Sequence, residues 1–130
     1  MASFPPDVRA AIAEREEVEI ETSAPSSGPG ATRKTIIWIV AHGPHVFVRS
    51  VRGPEGRWYK DLLADPEATL HFRGKPKLPP VAVRGVHTPD PESVAACSRA
   101  LEAKYRRYGG SLEAMLTPDT LPTTVRLEPR

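Results

Sequence analysis

Fifteen prolines punctuate this 130-residue chain, and they stand between its periodic segments and not inside them. Proline fixes φ and removes a backbone donor, so it marks the ends of elements. The sequence is thereby cut into short strands and helices joined by stiff loops on one compact body. Which elements they are follows from the hydrophobic period in each interval.

Two prolines precede Asp7, and Val8, Ala11 and Ile12 then share one helical face, which predicts a short amphipathic helix within an N-terminal arm over residues 1–16. From Glu17 to Thr22 the pattern changes to strict alternation, with Val18, Ile20 and Thr22 opposed by three glutamates: a half-buried strand. Residues 23–33 are rich in Ser, Pro and Gly and read as a long flexible loop. Ile36 to Val40 is apolar at every position, so both faces should be covered, one by the sheet interior and one by a helix or a second subunit. The turn His42-Gly43-Pro44 is expected to pair this strand with Val46 to Ser50.

Arg57 to Ala64 fits two helical turns, with Trp58 and Leu62 at i, i+4, and Pro66 ends it. Thr69 to Phe72 and Val81 to Val86 are two more strands. Asp90-Pro91-Glu92 starts a longer helix whose face carries Val94, Cys97, Leu101, Tyr105 and Tyr108, and Gly109-Gly110 stops it. Thr123 to Leu127 alternates as a closing strand. Six short strands in hairpin order, one inserted helix and one longer C-terminal helix predict a single α+β domain over 1–130, built as an antiparallel barrel.

Composition narrows the function classes. Eighteen basic against sixteen acidic residues give a net charge of +2, too small for general nucleic-acid affinity. The longest apolar run, Ile36 to Ala41, is too short to span a bilayer, so no membrane association is expected. The lone Cys97 and the absence of a leader-like N-terminus fit a reducing, cytoplasmic setting. His42 and His45 bracket a turn without further ligands, which predicts no metal site. No Ser-His-Asp set, paired carboxylates, Walker loop or dinucleotide fingerprint occurs, so the catalytic residues are unknown.

Basic residues instead collect around the central hairpin. Arg33, Lys34 and Thr35 stand at the entry of one apolar strand, Ser50, Val51, Arg52 and Gly53 at the exit of the next, and Arg57 and Trp58 at the start of the short helix. Arginine offers a planar fork to two oxygens at once, and a helix start adds free N–H groups. If the two strands pair, these groups share one rim suited to a phosphate, with Trp58 and Tyr59 able to shield or stack on a ring. Taken singly, each arginine reads as solvated surface and Trp58 as core; the convergence is what argues for a site.

The stretch Arg33 to Leu70, RKTIIWIVAHGPHVFVRSVRGPEGRWYKDLLADPEATL, resembles the FMN-binding split-barrel superfamily, which includes pyridoxamine phosphate oxidases and deazaflavin-dependent nitroreductases, and is most similar to an uncharacterised branch of it. The resemblance covers Val18 to Phe72 and the closing TTVRLEP strand. It implies a split β-barrel and a homodimer with FMN or the deazaflavin coenzyme F-420 at the subunit interface, acting on a small organic substrate. It also implies that Arg33, Lys34, Thr35, Ser50, Val51, Arg52, Arg57 and Trp58 hold the cofactor. The Gly-Arg-x-Ser-Gly stretch of the nitroreductases is replaced by Gly28-Pro29-Gly30-Ala31-Thr32-Arg33-Lys34, which leaves FMN and F-420 both open. A cofactor-binding protein without turnover and a nucleic-acid-binding small barrel are the alternatives, the latter opposed by the acidic first strand.

Overall fold

A computed structural model describes residues 3–130; Met1 and Ala2 of the expected N-terminal arm lie outside the described residues. Helix α1 runs Pro6–Glu14 and buries Val8, Ala11 and Ile12, the face its periodicity predicts. Strand β1 (Val18–Ser23) alternates buried and half-buried positions. The Ser-Pro-Gly-rich segment after it is a hairpin connection, closed where Ser23 faces Thr32. It holds a 3-10 turn over Pro25–Ser27 and a hydrogen bond of 2.9 Å from Ala24 N–H to the Ala31 carbonyl.

The apolar run divides where one strand was expected. Strand β2 (Thr32–Ile37) starts four residues earlier and pairs with β1, whereas β3 (Val40–His42) pairs with β4 (His45–Val48) through the two-residue turn Gly43-Pro44. Gly43 takes a φ of 59°, a left-handed value that glycine adopts without penalty. Helix α2 (Arg57–Ala64), β5 (Glu67–Phe72) and β6 (Val81–His87) follow. Helix α3 (Pro91–Tyr105) is capped by Asp90, whose carboxylate accepts from Ser93 N–H at 3.0 Å. A short α4 (Gly110–Ala114), which the sequence pattern does not predict, precedes β7 (Val125–Pro129).

All pairings are antiparallel, in the order β2-β1-β5-β6-β7-β4-β3. The two edge strands are therefore successive in the chain, separated only by Trp38 and Ile39. Laid flat, seven strands at about 4.8 Å spacing would hold their edges about 29 Å apart. The three residue steps from Ile37 to Val40 reach about 11 Å at most. The sheet must curl until its edges nearly meet, and it becomes a barrel with one split. The extra strand relative to the six expected is this division of the apolar run.

Inside the curl, Val18, Ile20, Leu70, Val83, Val125 and Leu127 from the strands meet Ile12 of α1 and Trp58 and Leu62 of α2. A second cluster joins Val40 and Phe47 to Cys97, Leu101 and Tyr105 of α3, to Leu112 of α4 and to Met115 just after it. Trp38 and Ile39 cannot pair across the split, so their backbone needs other partners. Helix α3 supplies those of Ile39: the Tyr105 hydroxyl accepts from Ile39 N–H at 3.2 Å and donates to the Glu16 carbonyl at 2.7 Å. Lys104 Nζ donates to the carbonyls of Ile39 and Ile12, each at 2.6 Å. Two adjacent side chains thereby fasten the split to α1 and to the lead-in of β1.

Candidate functional site

A cleft of about 470 Å³ opens beside the split. One wall is β2 and its continuation, with Arg33, Thr35, Ile36, Ile37 and Trp38; the other is the exit of β4 with Arg49, Ser50, Val51 and Arg52. Gly56, Arg57 and Trp58 close one side, and Ser111, Ala114 and Met115 another. Of the nine expected site residues, seven line it: Arg33, Thr35, Ser50, Val51, Arg52, Arg57 and Trp58.

They meet by a different route from the one expected. The β4 strand does not pair with β2; the curl of the sheet carries β2 to the other side of the cleft. Lys34 does not line the cleft. Alternation along β2 turns it away from Arg33 and Thr35, opposite Glu21 in the β1 register. Gly53 does not line it either. Its φ of 63°, its N–H bonded to the Ser50 carbonyl at 3.0 Å and its close approach to the Asp119 backbone make it the pivot of the loop.

The arginines divide into three states. Arg49 is 1% exposed and has no carboxylate partner among the described residues. Its guanidinium is satisfied by four hydrogen bonds of 3.0 Å, to Thr124 Oγ1, Ser98 Oγ and the carbonyls of Met115 and Val94. Burial lowers its pKa from the ordinary arginine value. Arg33 is paired with Asp61 of α2 at 2.9 Å, and Thr22 also donates to that carboxylate. Arg52 and Arg57 are exposed and make neither hydrogen bond nor ion pair among the described residues.

Ser50 is the polar residue of the cleft that is buried with its hydroxyl unmet. It is 1% exposed, and its N–H donates to Thr123 Oγ1 at 3.0 Å. Its own Oγ has no hydrogen-bond partner among the described residues. A buried hydroxyl left unpaired costs about 1–3 kcal/mol. Gly56 leaves the space for it, since a Cβ at that position would lie 2.2 Å from Ser50 Oγ. Gly56 is also the N-cap of α2, which has no side-chain cap. The first N–H groups of the helix are thus available beside Ser50, Arg52 and Arg57. This donor set matches a phosphate or another compact oxyanion.

Trp58 is 6% exposed and packs edge-on to Tyr59, with ring centroids 6.4 Å apart, so it belongs to the core as well as to the cleft wall. Lining residues that sequence reasoning did not assign to the site are Glu17, Ile36, Ile37, Trp38, Arg49, Gly56, Ser111, Ala114 and Met115. Trp38 was hidden because it sits in a run that reads as one unbroken buried strand. The last three come with the unpredicted α4 segment, which carries no periodic signal. Among the lining residues there is no histidine or cysteine, and Glu17 is the one carboxylate.

Comparison with solved structures identifies the fold as the split barrel. The heme storage protein HutZ from Vibrio cholerae superposes with a TM-score of 0.66 at 14% identity, over 98% of this chain and 91% of that one. An F420 reductase gives 0.56 at 18% identity, over 98% and 96%. A structure described as a domain-swapped dimer gives 0.57 at 17%, over 88% and 81%. No curated protein matches the chain. Among the described residues no helix is long and apolar enough to cross a membrane. The model of a bacterial family described as "Uncharacterized protein conserved in bacteria (DUF2255)" matches residues 9–127, and the chain belongs to that family.

Proposed function

We propose that the cleft binds the phosphate of a flavin-type cofactor, FMN or the deazaflavin coenzyme F-420, and that the protein is an oxidoreductase for a small organic substrate. The observation that carries this reading is the buried, unpartnered hydroxyl of Ser50 on a cleft that also carries two unpaired arginines and an uncapped helix start. Similarity in fold to an F420 reductase supports it, as does the earlier resemblance of the central segment. When bound, such a cofactor supplies hydride chemistry. The chain's own groups bind and orient. Ser50 Oγ and the N–H groups of α2 take phosphate oxygens, Arg52 and Arg57 close over them, and Ile36, Ile37 and Met115 exclude water from the remainder of the cleft.

Ile36 is 47% and Val51 54% exposed although both line the cleft. Apolar residues so placed need a cover, and a second copy of the chain in a homodimer is the cover this reading calls for. A protein that holds the cofactor without turnover is a second reading, favoured by a lining that lacks histidine and cysteine. Titration with FMN and with F-420, followed by absorbance and size-exclusion chromatography, tests the first. A chromophore that travels with a dimer is the expected result. A colourless protein with both cofactors would sink the proposal, and a bound chromophore that no donor reduces would select the second reading.

A further inference from the structure

Two tryptophans line the cleft, and their surroundings assign them different work. Trp58 is 6% exposed in the main core and edge-on to Tyr59, so most of its ring is taken up by packing. Trp38 is half-buried on the two-residue link across the split, where no strand partner holds it. It is held from behind instead. The ring of Tyr105 lies parallel to the indole, 3.9 Å between centroids with 2° between planes, and Tyr108 leans on it at 5.5 Å and 45°. Tyr105 is itself fully buried and pinned by its hydroxyl to Ile39 and Glu16. An indole with one face backed by a pinned aromatic ring, flanked by Tyr108 and lining a cleft, has little rotamer freedom left to lose when a ligand arrives. That is how a stacking surface is pre-organised.

We propose that Trp38, backed by Tyr105, is the platform on which the planar ring of the bound cofactor lies; this rests on the reading of the cleft as a flavin-type cofactor site. An electron-rich indole stacks favourably on an electron-poor fused ring, and every such ring offers a face whatever its substituents. The platform therefore selects for a planar π-system next to the phosphate and accepts FMN and F-420 alike. It sits on the split, the one place where the barrel wall has no neighbouring strand to cover an inserted ring.

The test uses the full chain with FMN and F-420 as probes, read by their own fluorescence, and inorganic pyrophosphate as competitor. Stacking on Trp38 predicts strongly quenched emission in the wild type, through electron transfer from the indole to the excited ring. Trp38→Leu should relieve the quenching and raise Kd about tenfold, with the pyrophosphate competition constant unchanged. Trp38→Phe keeps the stack on Tyr105 and guards against loss of the fold; it should relieve the quenching with a smaller change in Kd. Equal quenching and affinity in the wild type and both variants would overturn the assignment of Trp38 while leaving the phosphate site standing. Failure of the wild type to bind either probe would overturn the cofactor reading and this inference together.

Discussion

Arg49 and Arg52 are three residues apart on one strand exit, and they illustrate two opposite uses of the same side chain. Arg49 faces inward, where four hydrogen bonds join the end of β4 to α3, to Met115 beyond α4 and to the residue before β7. Arg52 faces the cleft, exposed and without a partner. A buried guanidinium is tolerated only when its donors are met, so Arg49 ties together the elements around it. An exposed guanidinium with no partner contributes little to stability and stays available to a ligand. The inside of the strand exit is a clamp, and its rim is a binding surface.

The largest expected effect breaks that comparison if it fails. Arg49→Ala removes the clamp and its four buried hydrogen bonds at once, so urea unfolding should show a loss of about 3 kcal/mol or more. Arg52→Ala should leave the urea midpoint where it is; comparable destabilisation by the two would erase the distinction. For ligand binding the order reverses. Arg52→Ala or Arg57→Ala should weaken the cofactor by about 1–3 kcal/mol in a fluorescence titration, and unchanged affinity in both would move the phosphate elsewhere.

The split offers a smaller contrast. Tyr105→Phe removes the hydroxyl that bridges Ile39 and Glu16 and should cost about 1–2 kcal/mol in thermal or urea unfolding. Lys104 gives the smallest and most specific signal. Burial pulls its ammonium from the usual 10.5 down to about 8. Between those values the unfolded chain holds a proton that the folded chain has released, so its contribution to stability rises with pH across that window and is flat, at its lowest, below it. Relative to Lys104→Met, the wild type should therefore gain in melting temperature from pH 7.5 to 10. A constant difference would show that the two carbonyls keep Lys104 charged throughout.

Much of the fold was legible because its signals are local. The buried face of α1 followed from the spacing of Val8, Ala11 and Ile12, β1 from its alternation, and the cap of α3 from Asp90. Strand pairing was legible only in part. Ile36 to Val40 reads as one strand since each residue is apolar, and nothing in that pattern shows that hydrogen bonding changes partner at Trp38. The same limit explains Lys34. Its place beside Arg33 in sequence is what sends it to the opposite face of β2. Arg49 and Arg52 cannot be told apart by composition, because the carbonyls and hydroxyls that hold Arg49 come from residues 45 to 75 positions away.

The amino-acid sequence by itself determined the short elements, the α+β class, and a cluster of basic and hydroxyl groups around the strand exits. These depend on period, proline and glycine, which act over a few residues. Only the tertiary structure decided which of those groups converge. The curl that brings β2 opposite the end of β4 is imposed by two residues bridging the edges of a seven-stranded sheet. It left Arg52 and Arg57 exposed on a cleft with Ser50 in its wall, engaged the Arg49 guanidinium in the surrounding elements, and placed Trp38 on the split.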